Sequence, residues 1–217
     1  MTKITPELLL QAYKIGVFPM ANNQADPTIE FFDPDPRGII PLEAFHVPRS
    51  LRKLIRKGEF YVTYNTAFSS VLSACANITV NRPTTWINEE IKVLYQKLFD
   101  MGYCHSIEVW CDDNIVGGLY GVSIGAAFFG ESMFSLKPNS SKIALVHLVA
   151  SLKHKGFLLL DSQFTNEHLV QFGAIGIRRG DYKKLLASAI NKTAEFPAEP
   201  GELDQVLDPV HRRTQTS

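Results

Sequence analysis

The apolar run Phe157-Leu158-Leu159-Leu160 stops abruptly at Asp161-Ser162-Gln163. Bulky apolar residues without alternation read as a strand buried on both faces, the kind found in the middle of a sheet covered by helices. Upstream, the pattern switches between helical and strand periods. Thr5 as N-cap, Pro6 at the first helical position and Gly16 past the end frame a helix over 7–15. A strand over 60–64 follows, then a helix from near Asn65 that turns Phe68, Val71, Leu72 and Cys75 inward. Asn88 caps a second helix with Ile91, Leu94, Tyr95 and Leu98 on its inner face, closed by Gly102. Strands over 106–110, 115–122 and 126–134 form hairpins turned by Asp112-Asp113-Asn114 and by Gly125. A helix over 141–155, capped by Asn139 or Ser140, buries Leu145, Leu148, Val149 and Leu152. Beyond the Asp161 strand, Thr165 caps a short helix ended by Gly173, residues 174–178 pair as a strand, and 181–190 form a last helix. The order from residue 60 is β-α-α-β-β-β-α-β-α-β-α, an α+β arrangement.

The flanks are more polar and more broken. Phe18-Pro19-Met20 leads into a loop, and Pro34, Pro36 and Pro41 make the approach to residue 41 irregular. Residues 1–40 therefore read as a small lobe against a main domain over 41–190. Residues 191–217, polar with scattered charges, read as a loose tail.

Composition narrows the function classes. At 217 residues and 45% hydrophobic content the chain buries one ordinary core. No apolar run approaches the ~20 residues of a bilayer span, and the start has no signal-peptide pattern. Cys75, Cys104 and Cys111 form no C-x-x-C pair, which points to a reducing cytoplasm rather than a disulfide or zinc framework. The six histidines are dispersed, so no metal site is expected. A net charge of zero argues against a protein that coats nucleic acid, yet allows a local basic patch. That patch is Arg49-Ser50-Leu51-Arg52-Lys53-Leu54-Ile55-Arg56-Lys57. As a helix it sets Arg49, Arg52, Lys53, Arg56 and Lys57 in one stripe opposite Leu51, Leu54 and Ile55, with no acid between them. Two readings stand: a solvated helix face, or a phosphate-binding surface.

Candidate chemistry collects at two strands. Side-chain alternation sends Asp161 and Gln163 to one side at a strand's carboxyl end, where ligands of open α/β sheets sit. In Ala126-Ala127-Phe128-Phe129-Gly130-Glu131-Ser132-Met133-Phe134, Glu131 is the only charge, and its neighbours supply no cation. It either points outward or takes a ligand ammonium as its partner. Glu167-His168 is set aside as an acid/base pair, because adjacent helix residues diverge. The chain has no Walker or G-x-G-x-x-G motif.

The element order resembles the GCN5-related N-acyltransferase fold, whose glycine-rich junction for coenzyme A is replaced here by Ser135-Leu136-Lys137-Pro138-Asn139-Ser140. An acyl donor other than coenzyme A is implied. The residues themselves resemble the bacterial leucyl/phenylalanyl-tRNA-protein transferases: Tyr13-x-x-Gly16 with Phe18-Pro19, Asp35-Pro36-Arg37, Thr85-Trp86-Ile87, His105 to Trp110, Gly117 to Val122, Gly130-Glu131-Ser132-Met133-Phe134-Ser135, and Asp161-Ser162-Gln163. The resemblance implies transfer of leucine or phenylalanine from aminoacyl-tRNA to the N-terminal Arg or Lys of proteins, marking them for N-end rule degradation, without a cofactor. It implies Asp161 and Gln163 as the catalytic pair and Glu131 on the aminoacyl α-ammonium. Leu119, Phe128, Met133, Leu145, Leu148, Leu152 and Leu160 would line the side-chain pocket. Tyr13, Met20 and Trp86 would lie near the terminal adenosine, and Arg49, Lys53, Arg56 and Lys57 on the acceptor stem. A cytoplasmic monomer is the expected state. Two alternatives from other classes are a coenzyme A-dependent N-acetyltransferase and an inactive RNA-binding module of the same fold.

Overall fold

Seven strands form the central sheet of the computed structural model, which describes residues 4–79 and 83–208. The chain starts with α1 (Pro6–Lys14), whose N-cap Thr5 accepts a hydrogen bond from the Leu8 N–H. Strands β1 (Phe18–Ala21) and β2 (Ile29–Phe32) pair antiparallel as a separate ribbon. β3 (Arg37–Ile39) then enters the main sheet. A 3-10 turn (Leu42–Ala44), α2 (Arg49–Arg56), β4 (Tyr61–Tyr64), α3 (Phe68–Ala76) and α4 (Glu89–Asp100) follow. β5 (Cys104–Cys111), β6 (Asn114–Ile124) and β7 (Ala127–Ser135) form the meander, and α5 (Ser140–His154) leads to β8 (Leu159–Gln163). The chain closes through α6 (Glu167–Val170), β9 (Ile175–Ile177), α7 (Arg179–Ile190) and α8 (Asp204–Leu207).

The sheet order is β4-β5-β6-β7-β8-β3-β9, antiparallel throughout except for the β7–β8 pair. β8 is thus interior, with α5 as the crossover from its parallel neighbour; of the apolar run only Leu159 and Leu160 belong to it, while Phe157 and Leu158 precede it and Leu158 is exposed. Helices cover both faces. On one, α1, α3, α4 and α7 bury residues such as Leu9, Val71, Tyr95 and Leu186 against Tyr120, Phe129 and Leu159. On the other, α5 with α2, α6 and α8 packs on Ile107, Leu119, Phe128 and Leu160. Buried Glu108 accepts from Thr63 Oγ1 at 2.7 Å and from the Ala67 and Thr66 N–H groups at the start of α3, a place that favours an anion.

The structure corrects the flanks. Phe18-Pro19-Met20 is a strand rather than a loop; Pro19 is tolerated because both strands of a two-stranded ribbon are edges. β3 lies within the stretch expected to be irregular, so the chain joins the main sheet at Arg37. Part of the expected loose tail packs: Val206 and Leu207 are buried, and Phe196 stacks on His105 and Phe128. Its apolar residues were too sparse to show a period, but Ala194, Phe196, Leu203, Val206 and Leu207 join the same core cluster as α5. Residues 80–82 of the loop before Trp86, and His211 with the end of the tail, lie outside the described residues.

Candidate active site

β7 and β8 pair only from Ala127–Leu159 to Phe129–Asp161 and then part. Each strand carries an irregularity at that point. Tyr120 and Gly121 of β6 face Ser132 and Gly130, so Glu131 is the extra residue of a bulge; across β8, Gly38 and Ile39 face Gln163 and Asp161, leaving Ser162 as the extra one. Bulges break alternation and re-aim side chains. Between the parted strands lies a cavity of about 510 Å³. Leu119, Met133, Leu145, Leu148 and Leu160 form its apolar wall, and Glu131 and Asp161 also reach it.

Glu131 is buried at 8% exposure. It accepts from the Tyr13 hydroxyl at 2.7 Å and from the Tyr95 hydroxyl at 2.8 Å, and the two hydroxyls also touch each other. Burial raises its pKa from the ordinary 4.5 to about 7, with Asp161 adding to the rise; the hydrogen bonds from Tyr13 and Tyr95, and the nearby Gln163 amide, which makes no hydrogen bond to it, hold it down. Among the described residues, no cation pairs with it. Because this carboxyl binds its proton more tightly folded than unfolded, it subtracts stability as pH climbs from 4.5 to about 7, and the penalty is constant above that. Glu131→Gln is therefore expected to melt progressively higher than the parent between pH 5 and pH 7.5, by roughly 3 kcal/mol at most. Melting curves across that range with an unchanging gap would refute the assignment.

Asp161 is fully buried and fully engaged. Its oxygens accept from Arg37 Nε at 3.0 Å and Nη2 at 2.7 Å, from the Tyr182 hydroxyl at 2.6 Å, and from the Gln163 backbone N–H at 2.8 Å. Arg37 is itself 0% exposed, donates Nη1 to the Gly16 carbonyl at 2.9 Å, and lies between the rings of Phe18 and Tyr182. Burial pulls the Arg37 pKa down, but the Asp161 carboxylate outweighs it, so the guanidinium stays charged. Gln163, 6% exposed, has φ +64, and its Nε2 has no hydrogen-bond partner. Asp161 is thus joined to Gln163, its expected catalytic partner, through the Gln163 backbone N–H and not through the side-chain amide.

Other candidate residues fall in different places. Phe128 and Leu152 do not line the cavity: both are 0% exposed in the core behind it. Tyr13 is also 0% exposed, with its hydroxyl on Glu131 and no free ring face. Met20 and Trp86 are half-buried on segments joined by the Ala21 N–H to Trp86 carbonyl bond. On α2, Arg49, Lys53, Arg56 and Lys57 are exposed, whereas half-buried Arg52 donates to the Leu207 carbonyl and leaves the stripe. Acids do reach this helix from elsewhere: Asp208 pairs with Arg56 at 2.6 Å, and Glu59 sits 3.6 Å from Lys57. His168, set aside above, lines the cavity with Nε2 unpartnered. Glu167 is exposed. Among the described residues, no group of three or more His, Cys, Asp or Glu is placed to hold a metal ion, and no helix is long and apolar enough to cross a membrane.

Arg37, Tyr95 and Tyr182 are the site residues that sequence reasoning gave no role. Tyr95 carried a signal, since an inward-facing tyrosine needs a partner for its hydroxyl.

Residues 39–187 match the family described as leucyl/phenylalanyl-tRNA protein transferase, and residues 2–35 match that transferase's N-terminal domain. The chain belongs to this family. The leucyl/phenylalanyl-tRNA--protein transferase of Paramagnetospirillum magneticum is 55% identical over 90% of this chain and 94% of its own length. That of Maricaulis maris is 54% identical over 97% of each. Among solved structures, L-PGS from Bacillus licheniformis is 13% identical over 77% of this chain and 56% of its own, with a TM-score of 0.43. Glu131, Asp161 and Gln163 lie inside the longer family match, while Arg37 falls between the two matched segments.

Proposed function

We propose that this chain transfers leucine or phenylalanine from aminoacyl-tRNA to the N-terminal Arg or Lys of acceptor proteins, marking them for N-end rule degradation. The observation that carries the reading is Glu131: a buried carboxyl without a cation, at the end of an apolar cavity, in a chain of this family. The α-ammonium of an aminoacyl ester supplies the missing charge, and a leucine or phenylalanine side chain suits the wall of Leu119, Met133, Leu145, Leu148 and Leu160. Apolar lining excludes charged side chains strongly but separates homologues by only ~1–3 kcal/mol per methylene.

The ester is already activated, so aminolysis needs no further energy source. The nucleophile is an α-amine of pKa ~8, roughly a tenth neutral at pH 7, and no strong base is required. Asp161 has no free lone pair directed at substrate, so its part is to position Gln163, whose carbonyl oxygen accepts from the attacking amine. In this reading the protein acts as a monomer in the cytoplasm, where charged tRNA is found. The parting of parallel β7 and β8 after α5 supports a GCN5-related N-acyltransferase-like sheet.

Met20 and Trp86 are placed at the terminal adenosine, and exposed Arg49, Lys53, Arg56 and Lys57 at the acceptor stem. Charge reversal at Arg49 and Lys53 is expected to weaken tRNA binding and reduce the salt slope by about one per lost phosphate contact, with kcat at saturation unchanged. Filter binding across a salt series checks this; an unchanged slope would place the stem elsewhere. The test of the function is transfer of labelled leucine from charged tRNA to peptides beginning with Arg, Lys or Ala. Label on the first two alone supports it, and no transfer despite tight tRNA binding refutes it.

A further inference from the structure

We infer that Tyr182, Arg37 and Gly38 are positioning residues for aminoacyl transfer, acting by holding Gln163 in a strained turn. The inference rests on the transferase reading above. Gln163 has φ +64, and the Phe164 N–H donates to the Ser162 carbonyl at 2.6 Å, closing a γ-turn centred on Gln163. A γ-turn with positive φ at a side-chain-bearing residue is rare and persists only where its surroundings impose it.

Three contacts impose it here. Asp161 Oδ1 takes the Gln163 N–H at 2.8 Å, two residues along the chain. Asp161 is in turn fixed by the fork of Arg37 and by the Tyr182 hydroxyl, and Arg37 is clamped by the Gly16 carbonyl and two rings. From the other side, Gly38 lets the turn lie against β3: a Cβ there would come within 2.4 Å of the Phe164 carbonyl carbon. None of Arg37, Gly38 and Tyr182 is among the residues lining the cavity, and Gln163 itself stands one residue beyond lining Ser162. The turn has one visible product, which is the buried Gln163 side chain with its Nε2 unpartnered beside Glu131. Leaving a buried amide hydrogen unbonded is costly, and a freely adjusting side chain would turn to satisfy it. The clamp holds it ready for substrate.

The test compares Tyr182→Phe and Gly38→Ala with the parent, and Tyr182→Phe again in a Gln163→Ala background. Transfer is assayed with saturating leucyl-tRNA and an Arg-initiated peptide, and counted per protein molecule competent to bind tRNA. Tyr182→Phe removes one hydroxyl and keeps the ring on Arg37, so it tests the inference even if Gly38→Ala fails to fold. The expected result is a fall in kcat of about 10-fold for Tyr182→Phe and up to about 100-fold for Gly38→Ala, with KM for both substrates within about twofold. In the Gln163→Ala background, Tyr182→Phe is expected to cost nothing further, because the group it positions is gone. Equal losses in both backgrounds, or parent-like kcat for Tyr182→Phe, would overturn this inference alone. A parent protein that transfers nothing would overturn the transferase reading, and this inference with it.

Discussion

Arg37→Met is expected to destabilise the protein by about 3–5 kcal/mol, measured by urea unfolding. The substitution leaves Asp161 in a fully buried site with the Tyr182 hydroxyl and the Gln163 N–H but no cation. Removing one member of a buried pair costs that much because the remaining charge has neither water nor partner. Removing both is different. Arg37→Met combined with Asp161→Leu is expected to recover most of the stability, since a well-packed apolar pair of similar volume often equals a buried ion pair, while transfer stays lost. A single variant destabilised by under about 1 kcal/mol would mean that the pair is wetter than its zero exposure indicates.

The second large effect concerns catalysis. Gln163→Ala is expected to lower kcat by about 10²–10³-fold with little change in the KM for aminoacyl-tRNA, as for a polar group used mainly in the transition state. Asp161→Asn should approach the same loss. An asparagine there presents an amide NH₂ toward Arg37 or Tyr182, both of which donate to the present carboxylate, and so loosens the turn carrying Gln163. Steady-state kinetics with both substrates varied decides the matter. A proportional rise in the KM for aminoacyl-tRNA at constant kcat would make Gln163 a binding residue.

Much of the main domain was legible because its signals are local. The caps at Thr5 and Asn88, the turn at Asp112-Asp113 and the apolar spacing of α3, α4 and α5 each specify one element, and each forms where expected. The unbroken run into Asp161 correctly implied an interior strand. What the sequence hid depends on partners far away in the chain. β3 is three residues long in a proline-rich stretch, and it is a strand because β8 and β9 flank it. Arg37 reads as a surface charge until Asp161, 124 residues later, is set against it. The bulge at Glu131 follows from the pairing of β6 with β7, for which Gly130 was the only local hint. The same long-range logic removed Phe128 and Leu152 from the cavity wall: apolar positions on the correct elements cannot be sorted into first and second layers without the strand register.

In the proposed reaction Glu131 holds the α-ammonium of the aminoacyl group. The measurement that tests it most directly compares leucyl-tRNA with N-acetyl-leucyl-tRNA as donors to an Arg-initiated peptide, for the parent and for Glu131→Gln. Acetylation removes the charge and adds a group where Tyr13, Tyr95 and Glu131 already fill the space. The parent is expected to use the free-amine donor at least about 100-fold better, a difference in line with losing a charge-assisted bond to a buried carboxylate, and Glu131→Gln is expected to narrow the gap chiefly by losing activity on the free-amine donor. Equal use of both donors by the parent would contradict it.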